Sequence, residues 1–361
     1  MAAENPDTDM SPSPDRGDQP PASAANQWIN ITGFLALLAV LLLLPWLNPS
    51  APHAAMLVTA IAMLPIVLLE LFLRRAFRRP SAGFRLDRPG QIDFGRSAVK
   101  LLGFCGTLLA LAACYWAFPI YHAPFYRPLW ELVYHYGACL LILAVPYIVL
   151  VDARMAEPRD GLWQVGALLL GRFRSFDRGE LARHARTWVI KGFYTPLMFG
   201  ALVQGITTFY HFDFFRADAS FQAVYFFLSN LILTTDLIFA LAGYLLTLRL
   251  LDAHVRSADP TTYGWLVAII CYQPFWTVIS SHFIRFDDEM PWGPGVGGWP
   301  LGQVLWGSAI LLLLGIYAWS TVAFGCRFSN LTHRGILTNG PYRVTKHPAY
   351  IAKNLSWWLI W

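Results

Sequence analysis

Eight apolar runs, each about as long as a bilayer's hydrocarbon core is thick, constrain this chain more than any other feature. A helix needs about 20 mostly apolar residues to cross that core. Runs of this length lie at roughly 28–47, 54–73, 99–119, 130–151, 188–210, 221–250, 262–283 and 301–324. A ninth starts at Ala349 and reaches Trp361; it is too short to cross, so a ninth helix cut short at the C-terminus is expected. Only 14% of the 361 residues are charged and 56% are hydrophobic, against about 25% charged in soluble domains. The expected fold class is therefore all-α, a polytopic helical membrane protein with about eight complete transmembrane helices.

Loop charge gives the topology. Eight Lys/Arg fall between Arg74 and Lys100, eight between Arg154 and Lys191, two (Arg249, Arg256) after the sixth run and four (Arg327, Arg334, Arg343, Lys346) after the eighth. The alternate loops hold only Arg127, Arg216 and Arg285. Cytoplasmic loops are enriched in Lys and Arg, so the alternation predicts a cytoplasmic N-terminus. The excess of Arg over Lys is read as the mark of a GC-rich bacterial genome, which makes the inner membrane the expected location. The net charge of +5 does not point to nucleic acid, since the basic residues sit beside the spans.

Three regions are expected. Residues 1–27, rich in Pro, Asp, Ser and Ala, read as a disordered cytoplasmic tail. Residues 28–260 form an N-terminal membrane domain of six helices, and 261–361 a membrane core that is incomplete at its C-terminus. In the long fourth-to-fifth loop, the apolar piece 162–170 and the amphipathic stretch 177–186 are expected to lie on the membrane surface. The five cysteines show no CxxC or metal spacing, so neither a disulfide framework nor a metal site is expected. Asp287, Asp288 and Glu289 read as a solvated loop on the opposite side.

Chemistry is concentrated in 328–361. Thr338-Asn339-Gly340-Pro341 reads as a turn, Tyr342 to Lys346 as a short basic linker, and His347-Pro348 as a helix start, where proline's missing N–H costs nothing. From there His347, Tyr350, Asn354, Trp357 and Trp361 recur at 3, 4, 3 and 4 residues, the spacing of one helix face. A helix N-terminus flanked by Arg343 and Lys346 suits a carboxylate or phosphate. The aromatic residues below suit an adenine ring or a sulfonium. Lys353 lies deeper than a chance lysine should, because a charge there costs a few kcal/mol unless it pairs or meets a ligand.

The run Gly340-Pro341-Tyr342-Arg343, then Lys346-His347-Pro348-Ala349-Tyr350, then Leu355 and Trp357, resembles the signature of the isoprenylcysteine carboxyl methyltransferase and membrane phospholipid methyltransferase family. The resemblance covers about 35 residues, or about 100 if the seventh and eighth spans belong to the same core. It implies an S-adenosylmethionine site on the cytoplasmic side, used to methylate a lipid or lipid-modified acceptor. By position it implies His347 and Tyr350 as cofactor contacts and the Gly340 to Arg343 turn as shaping the cavity; with Lys346 and Asn354 from the helix-start and helix-face readings, the expected cofactor-binding residues are Gly340, Tyr342, Arg343, Lys346, His347, Tyr350 and Asn354. Sterol-type reductases share the signature more distantly, which keeps NADPH open as the cofactor. A non-enzymatic transporter or scaffold with Asp236 on its path is the third reading. An intramembrane carboxylate such as Asp236 is either a functional group or a hydrogen-bonding tie between helices. Glu70, four residues before Arg74, reads as an i, i+4 interfacial ion pair.

Overall fold

A computed structural model describes residues 22–87, 90–173, 177–211, 220–283 and 292–361. Most of the expected tail (1–21) and the acidic run Asp287-Asp288-Glu289 lie outside the described residues. The chain is an all-α polytopic membrane protein: among the described residues, seven helices are long and apolar enough to cross a bilayer, or eight if one bent pair counts as a span.

The elements in order are α1 (Gln27–Leu47), α2 (Ala51–Leu68), α3 (Phe94–Ala117), α4 (Arg127–Asp152), α5 (Gly161–Leu169), α6 (Arg178–His211) and α7 (Phe221–Leu245). There follow α8 (Thr262–Ile270), α9 (Phe275–His282), the single turn α10 (Trp292–Gly295), α11 (Pro300–Phe324) and α12 (Pro348–Ile360). Two residue pairs, β1 (Ser257–Ala258) and β2 (Thr332–His333), form a minimal antiparallel ladder. The apolar core runs through α1, α2, α6, α7 and the end of α11, with Leu37, Ile66, Leu202 and Phe239 fully buried. Exposed Leu42, Trp46, Leu109 and Leu141 face outward, as lipid-facing side chains do.

The basic loops meet at one end of the bundle. Arg327, after α11, reaches Glu70 at the end of α2 at 3.2 Å, and Arg79 reaches Asp252 after α7 at the same distance. Phe84 bridges Met155 across the second and fourth loops, and β1 joins the sixth loop to the eighth. The alternation read from Lys and Arg positions thus corresponds to real juxtaposition.

Four local expectations are corrected. The pair Glu70–Arg74 does not form: the helix winds into a π-turn over Leu69–Leu73, which carries Arg74 away from the i, i+4 position, and Glu70 is buried against Arg327 instead. The apolar piece at 162–170 does not lie on the surface. As α5 it docks on α3, where the Gly166 position abuts the Val99 carbonyl and the Gly103 position the Leu162 carbonyl, so no side chain fits at either place. Residues 178–186 are not a separate surface helix but the first turns of α6, which continues to His211. The seventh run is broken at 271–274 into α8 and α9, bent by 70°, where Pro274 lacks the N–H that a continuous helix needs.

The sixth run also ends early, at Leu245 rather than near 250. Gly243 allows the Phe328 backbone to lie directly against α7, and Arg334 donates to the Gly243 carbonyl at 2.7 Å. Side-chain donors of this kind terminate helices by satisfying their last carbonyls.

Candidate functional site

The segment linking α11 to α12 folds back over the basic end of the bundle. Gly325 turns the chain with φ 57°, at a point where a Cβ would strike Asn30, and Asn30 itself donates to the Ala323 carbonyl at 2.9 Å. Phe328 packs edge-on against Tyr244 and Phe324, and Phe324 in turn meets Tyr342. Asn330 donates its backbone N–H to the Tyr244 hydroxyl at 3.0 Å and its side-chain amide to the Tyr272 hydroxyl at 3.1 Å. Residues 22–27 pin this segment from below: Ser23 donates to the Ile336 carbonyl, Asn339 donates to the Ala25 carbonyl and Gly340 donates to Gln27.

Beneath the fold-back is a cavity of about 1250 Å³, larger than the 300–1,000 Å³ of typical cofactor sites. One wall is the start of α6, with Arg183 and Arg186. The opposite wall is the linker and the mouth of α12, with Tyr342, Arg343, Lys346, His347 and Tyr350. Tyr272, at the break between α8 and α9, and Tyr317 and Thr321 of α11 form the deep end with Lys353. The lining carries five Lys or Arg side chains against one carboxylate, Asp259, which is occupied by the Thr261 hydroxyl at 2.6 Å and N–H at 2.8 Å. Those bonds hold the Asp259 carboxyl below the usual range.

Below the cavity floor, Asp236 of α7 accepts from the Tyr317 hydroxyl at 2.6 Å and the Thr321 hydroxyl at 2.5 Å. Lys353 sits with its ammonium 5.2 Å from the Tyr317 ring centre and 4.8 Å from that of Trp357, a cation–π cradle.

No family model, curated protein or solved structure matches this chain. The site therefore has to be read from its own residues. Of the seven positions singled out in the sequence, Tyr342, Arg343, Lys346, His347 and Tyr350 line the one cavity. Gly340 does not: it turns with φ 56° against Trp319 and Ala323 of α11. Asn354 is exposed and outside the lining. The cavity is lined at this helix by His347 at its N-cap, then Ala349, Tyr350 and Lys353, while the Trp306 indole of α11 donates to the Leu359 carbonyl at 2.8 Å near the far end of α12. Sequence reasoning missed Arg183, Arg186, Tyr272 and Tyr317. Only the position of Arg183 and Arg186 in a basic loop on the same side could have hinted at them.

The same end of the molecule carries a pH-sensitive group. His254, in the loop after α7, is held down to a pKa of about 3 by burial first, then by Arg249, Arg256 and Arg334; burial likewise lowers Arg334 to about 10. In the unfolded chain His254 would titrate near 6.5. The unfolded state therefore takes up its proton first on acidification, so the contribution of neutral His254 is intact above about pH 6.5 and fades as pH falls towards 3. We expect the melting temperature to decline below pH 6.5, and the decline to flatten in His254→Gln. Parallel pH profiles for the two proteins would exclude His254 as the cause.

Proposed function

We propose that this protein is a membrane-embedded methyltransferase that uses S-adenosylmethionine to methylate an anionic lipid or lipid-modified acceptor, with its basic end in the cytoplasm. The observation that carries the reading is the convergence of the signature residues Tyr342, Arg343, Lys346, His347 and Tyr350 on one cavity at the basic end of the bundle. The resemblance to the isoprenylcysteine carboxyl methyltransferase and phospholipid methyltransferase family supplies the activity. The distribution of Lys and Arg supports the orientation.

The residues present fit such a cofactor. Arg343 and Lys346 at the start of α12 suit its carboxylate, and the aromatic surfaces of Tyr317, Tyr342 and Phe324 suit an adenine ring. When bound, the cofactor supplies an electrophilic methyl on a sulfonium, already a good leaving group. The protein's share of the work is then to hold the acceptor in line and keep water out. The surplus positive charge of Arg183, Arg186 and Lys353 favours an acceptor bearing a carboxylate or phosphate. The volume leaves room for its head beside the cofactor.

One observation favours the second reading, NADPH-dependent reduction: five cations against one carboxylate is a lining that also suits a nucleotide with three phosphate groups. Both readings are separated by binding of tritiated S-adenosylmethionine to the purified full chain. Saturable binding is expected, weakened about tenfold or more by His347→Ala and by Tyr350→Phe, the scale of one lost hydrogen bond to a charged group. Binding unchanged in both variants would remove the site. Thermal protection by NADPH, with no binding of S-adenosylmethionine at all, would replace methyl transfer by reduction.

A further inference from the structure

A second hollow lies on the outer flank of the bundle, away from the cavity just described. It is about 930 Å³ in volume and sits between the end of α2, the loop that follows and the last turns of α4. Its walls are of two kinds. Phe72, Phe77, Phe84 and Leu150 form an apolar face, and of these Phe72 is 73% and Leu150 63% exposed. At the membrane-edge end the guanidinium-bearing Arg75, Arg78 and Arg154 border the same space. We propose that this groove seats one anionic glycerophospholipid of the surrounding bilayer, with its phosphate among the three arginines and an acyl chain along Phe72 and Leu150. The proposal does not rest on the methyltransferase reading.

The first argument is charge. Arg79 in the same loop, Arg96 in the first turn of α3 and Arg327 just after α11 each meets a carboxylate, at 3.2, 2.8 and 3.2 Å. Among the described residues, no ion pair involves Arg75, Arg78 or Arg154. Three like charges gathered at one groove repel one another unless an anion lies between them, and arginine's planar fork matches phosphate oxygens.

The second argument is the apolar half. α4 is the most peripheral long helix, with only 6% of its apolar window buried, so the groove opens onto lipid rather than onto another part of the chain. A soluble anion would satisfy the arginines and leave the aromatic wall uncovered; a hydrocarbon chain alone would do the reverse. A phospholipid with net negative charge covers both. Basic pockets beside transmembrane helices are suited to such headgroups, each Lys or Arg near the surface adding to the attraction.

The third argument is backbone conformation. Arg75 has φ 50°, a left-handed geometry that is strained for a non-glycine residue. It follows directly on the π-turn Leu69–Leu73, another uncommon geometry that is frequent at functional sites. Together they fold Arg75 and Arg78 back beside Phe72 instead of letting the helix run on into water.

The test uses the purified full chain in detergent with three probes. These are phosphatidylglycerol, phosphatidylcholine with the same acyl chains, and glycerol 3-phosphate as the head without chains. Native mass spectrometry is expected to show one retained phosphatidylglycerol and a raised melting temperature, with neither effect from the other two. Arg75→Gln/Arg78→Gln should weaken retention about 10–30-fold. Arg74→Gln/Arg85→Gln, which removes the same charge outside the groove, should leave it as in the unmodified protein. Equal retention of phosphatidylcholine and phosphatidylglycerol by the unmodified protein overturns the proposal without recourse to any variant. Equal loss in both double variants also overturns it, by reducing the effect to diffuse surface attraction, as does displacement of the lipid by glycerol 3-phosphate.

Discussion

Arg327→Ala is expected to lower stability by about 3–5 kcal/mol, the cost of breaking a buried ion pair from one side. The Arg327 side chain is 0% and that of Glu70 1% exposed, with 3.2 Å between them. The same guanidinium donates to the Leu251 carbonyl at 2.6 Å and the Asp252 carbonyl at 3.3 Å. One side chain therefore ties the end of α2, the loop after α7 and the end of α11. Truncation would leave the Glu70 carboxylate buried without a partner and two carbonyls without donors, and each such group carries its full desolvation cost. Glu70→Gln should cost less, because an amide oxygen still accepts from Arg327. Arg74→Ala, at an exposed position next to the clamp, should stay within about 0.5 kcal/mol. Thermal unfolding in detergent, followed by circular dichroism, ranks the three. If Arg327→Ala melted with Arg74→Ala, the clamp would be shown to contribute nothing.

That clamp also marks how far the sequence can be read. Span positions and the side on which each loop lies were legible, because both depend on local composition: apolar length sets the first and Lys/Arg counts the second. Glu70 and Arg327 are 257 positions apart, and no local pattern links them. The nearest arginine was the natural partner until the π-turn took it away. Similarly, the break at 271–274 was masked by continuous hydrophobicity, although Pro274 stood in the middle of the run. The apolar piece at 162–170 looked too short to do anything but lie on the surface. What places it against α3 is a pair of glycines on different helices, Gly103 and Gly166, whose fit is visible only when the helices are together.

The candidate site was legible to a similar depth. The signature around His347 brought five residues to the cavity because it spans one turn, one linker and one helix start, all local. Asn354 fell out because a helix-face argument cannot choose between position 353 and position 354 without knowing how α12 is tilted. Arg183 and Arg186 enter from α6, more than 150 residues upstream in the chain. Only the shared end of the bundle unites them with Arg343.

Asp236 is where the second large effect is expected, and the structure changes how it should be tested. Asp236→Ala removes two buried hydrogen bonds and leaves the Tyr317 and Thr321 hydroxyls without their acceptor, each such loss costing about 1–3 kcal/mol, so a loss of about 2 kcal/mol or more is expected. The Asp236 carboxyl ties α7 to α11 through Tyr317 and Thr321, the hydrogen-bonded contact between helices that an intramembrane acid can make. Tyr317 and Thr321 also line the deep end of the cavity, so the tie and the cavity floor are one structure. Asp236→Asn separates the two functions. Its amide oxygen can accept from one hydroxyl while its NH₂ faces the other, so stability should fall by less than in the alanine variant. The ionisable group itself is lost entirely, and that change is felt by a ligand rather than by the fold. If Asp236 only holds helices together, Asp236→Asn should bind tritiated S-adenosylmethionine as the unmodified protein does. If its charge also sets the position of Lys353 over Tyr317, binding should change even where the melting temperature barely moves. A variant with unaltered stability in both substitutions would contradict the tie itself.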